Sequence, residues 1–139
     1  MSQQYYIAKT LKGADFEDTV AAVIKALGAE GFGVLTYIDV AATLKKKLGE
    51  DMRPYRILGA CKPALAHKAL SAEDKIGVML PCNVIVQTVD GGVEVAAVDP
   101  TVAMARVDNP ALAPLAQEVR SNLQRVIDAL QPQHEGSRP

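Results

Sequence analysis

Tryptophan is absent from this chain, and other aromatics are few: four Tyr and two Phe in 139 residues. A core with so few rings must be built from Val, Ile, Leu and Ala. The stacking platform of a single-strand nucleic-acid binder is missing as well. An excess of charge is also lacking: 15 basic residues stand against 16 acidic ones, a net of −1. That balance excludes the basic face with which proteins grip phosphate backbones. No apolar run reaches the roughly 18 to 20 residues of a membrane span. The opening Met-Ser-Gln-Gln-Tyr-Tyr has neither the basic nor the apolar segment of a secretory signal. The expectation is a cytosolic protein that binds neither nucleic acid nor membrane.

Catalytic signatures are equally sparse. No G-x-x-x-x-G-K-[ST] loop occurs, and Gly28, Gly31 and Gly33 leave a helix and enter a strand, the reverse of a dinucleotide-binding turn. His67 and His134 are the only histidines, and no G-x-S-x-G elbow accompanies them. A hydrolytic triad therefore has little to stand on. Cys61 and Cys82 are the only cysteines, and they form no C-x-x-C pair. With His67 they are the soft donors open to a transition metal, a thin set for zinc. Lys45, Lys46 and Lys47 read as a solvated helix face.

What is present is an ordinary globular composition, 49% hydrophobic and 22% charged, at a length that fits one domain. We expect that domain over 1–130, with a frayed polar tail at 131–139. Tyr5 to Leu11 alternates as a strand. Asp15 then caps a helix whose Phe16, Val20, Val23, Ile24 and Leu27 share one face. Gly33 to Ile38 predicts a strand with Val34, Thr36 and Ile38 on one side and Leu35 and Tyr37 on the other. Asp39 caps a helix over Val40 to Leu48, anchored by Leu44 and Leu48 and ended by Gly49.

Arg53 to Cys61 predicts a third strand, and Pro63 opens a helix through Leu70. Ile76 to Val89 is almost continuously apolar and predicts a strand interrupted at Pro81. Asp90-Gly91-Gly92 turns it into a partner over Val93 to Val98. A final helix carries Leu112, Leu115, Val119, Leu123, Val126, Ile127 and Leu130, with its regular part expected to begin near Pro114. The order βαβαβαββα predicts an α+β fold of two layers, a mainly antiparallel sheet packed by amphipathic helices. Val78 to Val86 is apolar on both parities, so both faces of its strand should be covered. Helices on one face leave the other for a second copy, which predicts a homodimer.

The chemistry-bearing residues gather in Gly59-Ala60-Cys61-Lys62-Pro63 and Leu80-Pro81-Cys82-Asn83-Val84. Cys61 is expected where a strand meets a helix start, a place where a thiol can feel the helix's free amides. At this cluster the chain resembles domain-of-unknown-function family number 302, small bacterial and archaeal proteins. The resemblance runs through GFGVLTYIDVAATLKKKL (31–48), RPYRILGACKPALAHKAL (53–70), IGVMLPCNVIV (76–86) and Asp99-Pro100. It implies a two-layer α+β fold, a tendency to dimerise and no established activity. Arg56, Cys61, Cys82 and Asn83 match its motifs and are carried over as candidate ligand-binding residues. Lys62 departs from it, because the family typically has Asn there as a helix cap. Restoring Asn should add about 1 kcal/mol.

Three functions are open at this point. The first is a homodimeric module binding a small, anionic ligand near Arg56, Cys61, Cys82 and Asn83. The second is a thiol- or metal-dependent enzyme or sensor on Cys61 and Cys82. The third is a purely structural interaction domain. No cofactor is named by the residues.

Overall fold

Asp15 begins the helical layer as expected. In the computed structural model, which describes residues 4–133, its carboxylate accepts from the Asp18 amide at 3.0 Å. The helix it opens, α1 (Phe16–Ala29), follows strand β1 (Tyr6–Lys12). Next come β2 (Gly33–Asp39), α2 (Val40–Leu48), β3 (Tyr55–Cys61) and α3 (Pro63–Ala72). A 3-10 turn (Asp74–Met79) leads into β4 (Cys82–Val89) and β5 (Gly92–Val98). The short α4 (Pro100–Ala103) and the long α5 (Leu112–Ala129) complete the order. The expected fraying at 134–139, including His134, lies outside the described residues.

All four strand pairings are antiparallel, in the order β1-β5-β4-β3-β2. One sheet face carries Ile7, Leu11, Leu58, Ala60, Val84, Val86, Val93 and Val95, all buried. Against it lie Val20, Val23 and Leu27 of α1 and Leu123, Val126 and Ile127 of α5. Each such aliphatic side chain, fully buried, contributes roughly 1.5–3 kcal/mol. This is the two-layer α+β fold that the residue order implied, with an aliphatic core.

Several local expectations change. The apolar stretch from Ile76 is not strand throughout: it forms the 3-10 turn first, with Ile76 buried and Val78 86% exposed. An apolar run without period cannot by itself separate strand from helical turn. In β2 a bulge between Val34 and Thr36 sets Val34 opposite Ala60 and Thr36 opposite Gly59. Val34 thus faces the helices while Thr36 and Ile38 face away, because one extra residue reverses the alternation. Helix α2 matches its expected bounds, but none of its residues is buried, and Leu48 is 67% exposed. Leu48 therefore does not anchor it, and Leu44 is half-buried. Helix α5 starts before Pro114, since the first-turn amides have no intrahelical partner to lose.

Candidate functional site

Pairing of β3 with β4 sets Ala60 opposite Cys82, which brings Cys61 and Cys82 to the same end of the sheet. Beyond that end α3, the 3-10 turn and α5 form a second, smaller core around Ala69, Ile76 and Leu112. Between the two cores lies a cavity of about 300 Å³. Both cysteines line it, together with Phe32, Leu65, Met104 and Leu115. Leu35 and Leu70, 66% and 43% exposed, also line it and mark where it meets solvent. The β2 bulge falls at Leu35 and re-aims its side chain.

Cys82 is buried, and its thiol is pushed up to about 11, first by loss of solvation and then by the neighbouring Cys61. It stays protonated at neutral pH, where it packs as a small apolar group. Among the described residues no three His, Cys, Asp or Glu side chains come together in a group that could hold a metal. His67 is exposed on α3. The cavity is walled mainly by apolar side chains, and Cys82 offers no activated nucleophile in it.

Arg56 does not join the cysteines. Its guanidinium meets the Glu17 carboxylate through two nitrogens, at 3.1 and 2.7 Å, and Asp39 at 3.2 Å. It also donates to the Tyr37 hydroxyl and lies over the Phe16 and Tyr37 rings, 5.2 and 5.3 Å from their centroids. The Glu17 hydrogen bond, against the opposing effect of burial, holds its pKa above the ordinary value. Two acids already neutralise it, so an anionic ligand near Arg56 has no free charge to meet. It clamps β3 to the starts of α1 and α2.

Asn83 also lies apart. One residue from Cys82, it points to the other sheet face and is exposed there, beside Tyr6, Ile85, Gln87 and Glu94. Of the four residues expected to share a site, the fold unites only Cys61 and Cys82.

The walls supplied by α5 and Met104 were missed. The α5 stripe reads as one continuous face, yet Leu112 and Leu115 serve the smaller core while Leu123, Val126 and Ile127 serve the larger. The available signal was the length of that stripe, which runs from Leu112 to Leu130. Near the cavity rim Asp99 caps α4, accepting from the Thr101 amide at 3.0 Å and hydroxyl at 2.6 Å, and from Arg120 Nε at 3.0 Å. Pro100, next to it, lines the cavity.

Residues 7–130 match the family described as "Domain of unknown function DUF302". A solved structure, "Crystal structure of uncharacterized conserved protein DUF302 from Bacillus stearothermophilus", superposes with a TM-score of 0.84 at 27% identity. The alignment covers 91% of this chain and 98% of that one. No curated protein matches the chain.

Proposed function

The chain belongs to the DUF302 family, and from that premise we propose that it is a small-ligand-binding module. Its ligand would occupy the thiol-lined cavity between α3, α5 and the ends of β3 and β4. The observation that carries this reading is the cavity itself. At about 300 Å³ it stands at the lower end of the range for small-molecule sites. Its walls offer water few polar partners, so water is poorly held there. An apolar ligand replacing it gains roughly 25 cal/mol for each Å² removed from solvent.

Thermal melts with toluene test the reading. Toluene should raise the wild-type midpoint, and Ala66→Phe, which places a ring in the cavity from α3, should remove that rise. No rise with the wild-type protein, or an equal rise with the filled variant, would overturn it.

The module would act as a homodimer joined through the bare sheet face. That face carries Ile57, Ile85 and Ala96, with Tyr6 39% and Ile38 45% exposed. Its polar groups are already satisfied along one row: Arg53 donates to Gln87, and Gln87 to Glu94, both at 2.8 Å. Covering such a face leaves few polar groups unpaired. Sedimentation should give twice the chain mass for wild type and the single mass for a folded Ile85→Glu. A monomeric wild type at high concentration contradicts the dimer. Two free thiols fit a reducing compartment, and they support our reading of a cytosolic protein.

A further inference from the structure

We propose that the cavity takes an amphipathic anion, an apolar chain or ring system of roughly ten carbons whose single acidic head pairs with Lys62. This rests on the cavity being the ligand site and adds the chemical class of the occupant. The size follows from volume. An apolar cavity of about 150 Å³ accommodates benzene, and this one is about 300 Å³. The body of the ligand is therefore roughly twice benzene.

The head follows from charge. Among the described residues Lys62 is the one lining residue with a formal charge. Its stem crosses Gly31, where Cε stands 3.1 Å from the place a Cβ would take. Its ammonium lies 5.6 Å from the centroid of Phe32, itself a wall of the cavity. Gly31 and Phe32 thus hold the ammonium beside the apolar space. Among the described residues no acid pairs with it, a state it shares with every described lysine but Lys45.

Lys62 is also the N-cap of α3, where it makes no side-chain cap bond, and the first turn holds no acidic residue. A cation at the positive end of a helix is unfavourable. Such a broken local rule is expected where function requires it. An anionic head seated there would be attracted by both the ammonium and the helix end, while its apolar body enters the space between α3 and α5.

Calorimetric titration of the full chain with octanoate, 1-octanol and octylamine at low salt tests this. Octanoate should bind at least tenfold more tightly than 1-octanol, and octylamine most weakly. Lys62→Met should bring octanoate to the level of 1-octanol without changing 1-octanol. Lys62→Asn should do the same without lowering the melting midpoint of the free protein, which separates loss of binding from loss of fold. Equal affinity for octanoate and 1-octanol, or an unchanged octanoate affinity in Lys62→Met, would overturn the anionic head and leave the cavity reading standing. Failure of octanoate, 1-octanol and toluene alike would overturn the cavity reading and this inference with it.

Discussion

Three aspartates open helices here, while the starts at Lys62 and Ala111 carry no side-chain cap bond. Asp15, Asp39 and Asp99 each accept from an amide of the first turn, at 3.0, 2.9 and 3.0 Å. Asp15, Asp39 and the uncapped Lys62 were legible from residue type next to an apolar period. The Phe32 contact was not, because it joins residues distant in the chain. A cap regained in Lys62→Asn contributes about 1 kcal/mol, and the lost cation–π contact takes back about 0.5 kcal/mol. We expect a small net rise in the urea midpoint; a fall would refute the cap assignment.

Asp99 carries a pH dependence. Burial by itself would raise its carboxyl, but the Thr101 hydroxyl and amide and the Arg120 guanidinium outweigh burial and hold it below the ordinary value. A carboxylate depressed in the folded state contributes its full stability above the unfolded value, about 3.9, and loses it as pH falls through the folded value. Asp99→Asn should therefore lower stability at pH 7, by about 1 kcal/mol as hydrogen bonds to a charged group become neutral ones. The gap between the two proteins should narrow as pH falls below about 4. Urea titrations at neutral and acid pH check this, and a gap that widens toward acid would show the sign to be wrong.

At the scale of elements, strands with clean alternation and helices with capped starts were readable, and α2 matched to its termini. What escaped were places where one element depends on another. The β2 bulge is one, since its cause is the fit to β3. Gly59 shows that fit: an added Cβ would strike the Thr36 hydroxyl and stand 2.7 Å from Pro81 Cγ. Thr36 and Pro81 close over the glycine from β2 and from the segment before β4. Overpacking at such a point costs about 1–3 kcal/mol, so Gly59→Ala should lower the denaturation midpoint. An unchanged midpoint would mean that Thr36 and Pro81 do not close over it. The 3-10 turn escaped for a different reason: apolar content without period gives its length but not its backbone.

Across the whole molecule the two-layer α+β arrangement followed from element order, and the family resemblance agreed with it. The cavity did not follow, because its walls come from β2, β3, α3, the 3-10 turn, β4, α4 and α5 and meet only once those are packed. Motif matching grouped Arg56 and Asn83 with the cysteines. Strand alternation sends Asn83 to the other sheet face, and Glu17 and Asp39 bind Arg56. The central claim is that the space beside Cys61 and Cys82 receives an apolar body. Methionine methyl NMR during a toluene titration reads this most directly. Met104 lines the cavity, Met52 lies in the cleft beside Arg56, and Met79 is 43% exposed outside the cavity. We expect the Met104 methyl to shift and saturate while those of Met52 and Met79 hold still. A Met104 signal that does not move, or three that drift together without saturating, would contradict the account.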